Sequence, residues 1–103
     1  MKRYIYIGVR TDISSAQQVV QACHAALEAG ESYLEDFGHP SVVVLGFKTE
    51  AKLKKFQEYL DSIDWMHYDA WHEPALNNEL TSIATMPVPE DERKLFKKFQ
   101  LLR

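Results

Sequence analysis

The chain has 103 residues, 46% of them apolar and 26% charged, with a formal net charge of −3. That length suits one domain, 1–103, around a single modest core, and the acidic balance argues against a broad electrostatic grip on nucleic acid while leaving room for a local basic patch. The lone Cys23 allows no internal disulfide and fits a reducing, cytoplasmic setting; no stretch is apolar for long enough to span a membrane, and the opening MKRYIYIGVRTD has no signal-peptide pattern.

Arg3 to Val9 (RYIYIGV) is apolar and aromatic with little interruption, which predicts a central strand buried on both faces, with Gly8 permitting close backbone approach. Arg10-Thr11-Asp12 leaves the sheet, and Ser14 or Ser15 caps the helix that follows. That helix carries two stripes. Val19, Val20, Cys23, Ala26 and Leu27 form an apolar one, expected to pack; Gln17, Gln21, His24 and Glu28 form a polar one, a plausible wall for an active site. Gly30 is the expected stop, with a further helical turn in Glu31 to Phe37 and a break at Gly38-His39-Pro40.

Ser41 to Phe47 (SVVVLGF) predicts a second buried strand. Thr49 caps a helix over about Glu50 to Ser62, whose Leu53, Phe56, Leu60 and Ile63 make a clean apolar stripe. Trp65 to Trp71 predicts a third strand, with Trp65, His67 and Asp69 on one face; His72 to Glu79 is a loop, and Leu80 to Met86 a fourth strand. Pro89 opens a short helix with Glu90, Asp91 and Glu92 at its positive end, reaching about Phe96. Phe99, Leu101 and Leu102 then form a tail that needs a groove to bury in. The order β-α-β-α-β-β-α gives an α/β domain with a mixed sheet flanked by helices: helical crossovers join the first three strands, and a loop joins the third to the fourth.

The chain resembles the type 2 peptidyl-tRNA hydrolase family, most of all the small peptidyl-tRNA hydrolase domain-containing branch. The resemblance is carried by the strand followed by Arg10-Thr11-Asp12, by the Gln-Ala-Cys-His-Ala-Ala string from Gln21 to Ala26, by Thr81 six residues before Pro87, and by Lys97-Lys98-Phe99. It implies a compact single domain with a four-stranded mixed sheet, often dimeric, and a metal-independent, cofactor-free hydrolysis of the ester joining a peptide to the 3′ end of tRNA. It implies further that the first helix, the loop after the third strand and the fourth strand meet at one cleft. His24, Thr81 and a carboxylate, either Asp69 or Glu73, would then be catalytic, with Gln17, Gln21, Arg10 and Asp12 binding the substrate. Two departures stand out. The family's active lysine lies seven residues before the His, where this chain has Gln17, and an uncharged amide supplies no fixed positive charge to an oxyanion. The family's Asp-Ala-Gly-x-Thr-Gln segment has no counterpart in HEPALNNE.

Ester hydrolysis needs an activated water, a polariser for the carbonyl and a proton for the departing hydroxyl. An imidazole such as His24 suits the general base, because its reference pKa is near neutral pH; the plainer role for a helical His is to fill a packing gap or to bond a carboxylate. Cys23 beside His24 is not a catalytic pair, since adjacent helical residues point about 100° apart. His67, Asp69, His72 and Glu73 lie close in sequence but match no zinc spacing, and a solvated strand end explains them better than a metal. Lysines 52, 54 and 55 are interleaved with acids and read as a mixed charged surface, whereas the basic residues from Arg93 to Arg103, which follow Glu90 to Glu92, suit either such a surface or the guiding of a tRNA backbone. Tyr33, Tyr68, Trp65 and Trp71 can stack on a terminal base, but at this density aromatics more often serve a core or a homodimer surface. The class competing with an enzyme is therefore a non-catalytic binding or scaffolding domain on the same fold.

Overall fold

A computed structural model describes residues 2–103. The elements follow in the order β1 (Arg3–Arg10), α1 (Ser15–Phe37), β2 (Ser41–Phe47), α2 (Glu50–Asp61), β3 (Tyr68–Glu73), β4 (Glu79–Thr85) and a two-residue β5 (Val88–Pro89), with 3-10 turns at Pro74–Leu76 and Glu90–Phe96. The expected mixed sheet flanked by helices is present, in the strand order β2-β1-β4-β3 with β5 paired to the start of β1. β1 and β2 are parallel, Tyr4 opposite Ser41. β4 is antiparallel to β1 and to β3.

β1 is the central strand, and its pleat sorts two cores. Ile5, Ile7 and Val9 face α1 with Ala25, Ala29 and Ala84; Tyr4 and Tyr6 join Phe47, Leu53, Phe56, Leu60, Ile83 and Phe96 on the other side. Gly8 lies on that second side beneath α2. A Cβ there would come to 3.0 Å from Phe47 and 3.2 Å from Leu53 and Phe56, so any side chain at this position would have to push those three back by a few tenths of an ångström. α2 follows its sequence: Thr49 Oγ1 accepts from the Lys52 N–H at 3.1 Å, and Leu53, Phe56 and Leu60 are buried.

Four expectations are corrected. α1 does not stop at Gly30 but runs on to Phe37, and ends at Gly38, whose φ of 71° and N–H bond to the Leu34 carbonyl make it the glycine that terminates the helix. The apolar stripe of α1 is not its packed face. Gln21, Ala25 and Ala29 are buried, while Val19 and Leu27 are 64% and 72% exposed and Cys23 is exposed as well. β2 is an edge strand and not a doubly buried one, with Val42 exposed. Finally, Trp65 and His67 precede β3, which begins at Tyr68, so they do not share a strand face with Asp69.

The C-terminal tail explains how that edge is closed. The Gly46 N–H donates to the Gln100 carbonyl at 3.0 Å and the Leu102 N–H to the Val44 carbonyl at 2.9 Å, so the tail covers the open hydrogen-bonding edge of β2. Phe99 packs against Phe47, Phe56 and Tyr59, filling the groove the tail needs. Leu101 does not share it, being 60% exposed.

Candidate functional site

Ser14 sets the start of α1: its Oγ accepts from the Gln17 N–H at 3.2 Å. Gln18 then ties the helix to the loop before it, its Nε2 donating to the Ile13 carbonyl at 3.0 Å. One turn on, Gln21 is completely buried. A glutamine withdrawn from water must have its amide matched by partners, and this one does. Its Nε2 donates to Glu73 Oε1 at 2.8 Å and to Gln17 Oε1 at 3.1 Å. Its Oε1 accepts from Thr81 Oγ1 at 2.7 Å. The Gln21 carbonyl accepts a further bond from Ser82 Oγ at 2.8 Å.

That Thr81 and Ser82 both reach the same helical residue breaks strand alternation, and the reason lies in the sheet. Trp71 pairs with Ser82 but His72 pairs with Leu80, which leaves Thr81 as the extra residue of a β-bulge. Bulges re-aim a side chain, and here the bulge turns a second hydroxyl toward α1. Its sequence signal is the adjacent hydroxyl pair Thr81-Ser82 between Leu80 and Ile83.

His24 lies one turn beyond Gln21. Its ring stacks on Trp71 with centroids 4.3 Å apart and planes 13° from parallel. Its Nε2 is 3.9 Å from the same Glu73 Oε1 that holds Gln21, within charge-pairing distance but longer than a hydrogen bond. The side chain of His24 is 36% exposed and that of Glu73 14% exposed, so the imidazole opens to solvent over a largely sheltered carboxylate. The Gln21 amide bond, more than any other contact, holds the Glu73 carboxyl below the usual carboxylate range, and the Ala75 N–H at 3.2 Å adds to it. The Trp71 indole N–H leans the same way, although its Nε1 is buried and completes no hydrogen bond.

The remaining candidates lie elsewhere. Asp69 accepts from Ser32 Oγ at 3.1 Å, two turns along α1 from His24, so of the two carboxylates only Glu73 adjoins the imidazole. Arg10 and Asp12 are clipped to one another, Nε to Oδ1 and Nη2 to Oδ2, each at 2.9 Å. Arg10 Nη1 also bonds Glu79 Oε1 at 2.6 Å. This bidentate pair raises the Arg10 pKa and lowers that of Asp12, the mutual hydrogen bonds being the main cause in each. Both residues thereby brace the end of β1 against β4, and they do not join the His24 cluster. Gln17 is exposed at the rim, its Oε1 engaged by Gln21. Cys23 lies on the outer face of α1. Among the described residues, no group of three His, Cys, Asp or Glu side chains is placed to hold a metal.

Sequence reasoning did not foresee Gln21 as the hub, Ser82 as its second anchor, or Trp71 as the platform for His24. A groove of about 470 Å³, lined by Tyr6, Leu45, Arg93, Phe96 and Phe99 among others, lies on the α2 side of the sheet, away from this cluster.

Scans against protein families and against curated proteins find no match. Among solved structures the chain is similar to a protein of unknown function from Agrobacterium tumefaciens strain C58, at 14% identity and a TM-score of 0.73, over 100% of this chain and 99% of that one. That likeness establishes a shared fold.

Proposed function

We propose that this chain is a peptidyl-tRNA hydrolase-like protein that cleaves the ester between peptide and tRNA without a metal or cofactor, in the cytoplasm. One observation carries the reading: Glu73 holds the Gln21 amide at 2.8 Å and lies 3.9 Å from the imidazole of His24 with the same oxygen. In the proposed reaction His24 takes a proton from water as the water oxygen attacks the ester carbonyl carbon. Glu73 stabilises the imidazolium so formed. The carbon–oxygen bond to the ribose then breaks, and His24 returns the proton to the departing 3′ oxygen, leaving a tRNA hydroxyl and a peptide carboxylic acid that loses its remaining proton to water. Gln17, whose Oε1 is already occupied by Gln21, directs its Nε2 to the carbonyl oxygen. Trp71 fixes the imidazole plane. Thr81 is a positioning residue, since it is fully buried and its hydroxyl meets only Gln21 Oε1, at 2.7 Å, and the Trp71 carbonyl, at 3.4 Å.

The test is peptidyl-tRNA cleavage by the wild type against His24→Ala. General acid–base catalysis is worth about 100-fold to 10,000-fold, and a loss in that range is expected; a wild type no faster than His24→Ala ends the hydrolase reading. The second reading, a binding domain without turnover, is favoured by the neutral Gln17 and by the complete burial of Thr81. Gln17→Lys separates the two: it raises the rate if the site is a hydrolase lacking only a charged polariser, and leaves a non-catalytic domain silent.

A further inference from the structure

We propose that the free edge of β3 takes the peptide part of the substrate as an added strand, gripping it through its backbone and presenting its C-terminal ester to His24; this rests on the hydrolase reading and adds how such an enzyme holds its peptide. The two outer strands of the sheet are treated unequally. β2 lies at one end of the strand order and β3 at the other. The C-terminal tail bonds along the edge of β2, whereas among the described residues no backbone hydrogen bond reaches β3 from its outer side.

Strand parity decides which groups face that open side. The His67 carbonyl accepts from the Met86 N–H at 2.8 Å and the Glu73 carbonyl from the Asn78 N–H at 2.9 Å, so the backbone groups of the odd-numbered residues point toward β4 and its turn. In an antiparallel pair the alternate residues point away. Tyr68, Ala70 and His72 therefore offer their N–H and carbonyl groups outward. None of the six residues of β3 is buried, and His72 is exposed. An open row of this kind is a template for another strand, which proteins ordinarily blunt with proline, lysine or a covering segment. β3 carries neither proline nor lysine.

The same pleat sets the candidate site beside this edge. Asp69, Trp71 and Glu73 turn to α1: Asp69 meets Ser32, Trp71 stacks with the His24 ring, and Glu73 holds Gln21. His24 thus sits over the second half of β3. The scissile ester closes the C-terminus of the peptide, so it must lie beside Trp71 and Glu73, with the preceding residues running back past Ala70 toward Tyr68. That fixes the direction: the peptide lies parallel to β3. From Tyr68 to His72 the strand covers about 13 Å, room for about four peptide residues. Parallel pairing is the weaker kind, which suits a product that must leave.

The chemistry of the substrate calls for a grip of this kind. A peptide esterified to tRNA can have any sequence, so pockets shaped for particular side chains would reject most substrates. Strand addition takes its affinity from main-chain hydrogen bonds, which every sequence can make. An extended peptide backbone is therefore the occupant that this edge fits.

Capped pentapeptide amides, titrated into the protein and followed by two-dimensional NMR, test the binding without any ester. The expected result is a shift of the backbone amides of Tyr68, Ala70 and His72 larger than that of any amide in β2. N-methylation walked along the peptide should weaken binding at alternate residues only, because every second N–H of an added strand faces its neighbour. Ala70→Pro removes one outward donor where an edge strand tolerates proline. It should raise KM about threefold to tenfold more for acetyl-tetrapeptidyl-tRNA than for acetyl-aminoacyl-tRNA, the contribution of one hydrogen bond. The absence of any shift in β3 up to millimolar peptide overturns the proposal, as does binding indifferent to N-methylation at every position. A doubling of mass on concentrating the protein alone, with shifts of the same three amides, gives the edge to a second copy and overturns it too. Peptide binding at β3 with no cleavage of either ester supports the peptide edge and ends the hydrolase reading alone. Cleavage whose KM ignores both peptide length and Ala70→Pro ends the peptide edge alone.

Discussion

On one side of the sheet α2, the segment Glu90–Phe96 and the tail close over a continuous aromatic and aliphatic core, in which Phe56 lies within 6.3 Å, centroid to centroid, of Phe47, Phe96 and Phe99. On the other side a single helix, α1, covers the centre of the sheet with alanines and one glutamine, and leaves its larger apolar residues outside. The first side is held by area removed from water, which is non-directional and tolerant. The second is held by small contact residues plus a set of hydrogen bonds that fix the helix in register with β3 and β4. This difference places the candidate site. A face built from directional polar contacts keeps His24, Glu73 and Trp71 in fixed relation, whereas on the opposite face polar contacts such as Arg93 to the Tyr6 hydroxyl are scattered among apolar side chains and gather no titratable cluster.

The largest effect should come from the aromatic side. Phe56 is 1% exposed and packs against three other rings. Phe56→Ala is expected to cost about 3–5 kcal/mol, as lost transfer energy plus a residual cavity, and chemical denaturation at neutral pH measures it. A loss under about 1 kcal/mol would mean that the rings repack freely and that the contrast between the two sides is overstated.

Next in size is the polar hub. Gln21→Ala removes the acceptor for Thr81 Oγ1 and the donor to Glu73 at once. A buried hydroxyl that loses its short partner costs up to about 1–3 kcal/mol, and here only the Trp71 carbonyl at 3.4 Å remains for Thr81. The check is a double-mutant cycle with Thr81→Val: if the orphaned hydroxyl is the source, Thr81→Val in the Gln21→Ala background should recover part of the loss. Simple additivity would assign the loss to packing of the glutamine stem and remove the hub from the account.

How much of this was legible follows the same divide. α2 could be read with its buried face, because Leu53, Phe56 and Leu60 obey the rule that apolar residues turn inward. β1 could be read as central because nearly every residue in it is apolar or aromatic. α1 defeated the same rule: its contact face is Ala25 and Ala29, too small to dominate a hydrophobic stripe, and Gln21, whose burial depends on partners 52 and 60 residues away in sequence. The end of α1 was misplaced because two glycines compete, and only Gly38 adopts the left-handed conformation. The choice between Asp69 and Glu73 could not be made from spacing. Which of the two adjoins His24 follows from the pairing of β3 with β4 and from the bulge at Thr81, both properties of the assembled sheet.

A pH series tests the hub from the side of its carboxylate. The Glu73 carboxyl is held below its ordinary value, chiefly by the Gln21 amide. A lowered folded-state pKa means that the unfolded chain binds the proton more readily, so the ionised group stabilises the fold above the ordinary carboxylate range. That contribution is lost as pH falls through the folded-state value. The stability difference between wild type and Glu73→Gln should therefore be constant near neutrality and shrink steadily in acid. A difference that stays flat into acid would show that Glu73 gains nothing from its partners by being charged.

The smallest effect is expected at a large apolar residue, which makes it the sharpest test of the contrast. Leu27 and Leu53 are the same side chain on the two helices, one 72% exposed and the other fully buried. By hydrophobicity alone the two would weigh equally. If α1 is held by its alanines and its glutamine, Leu27→Ala should change the stability of the dilute protein by no more than about 0.5 kcal/mol, as for a surface site, while Leu53→Ala costs about 2–5 kcal/mol. Comparable losses for the two leucines would place the outer stripe of α1 against the body of the fold after all, and with it would go the polar account of how His24 is held.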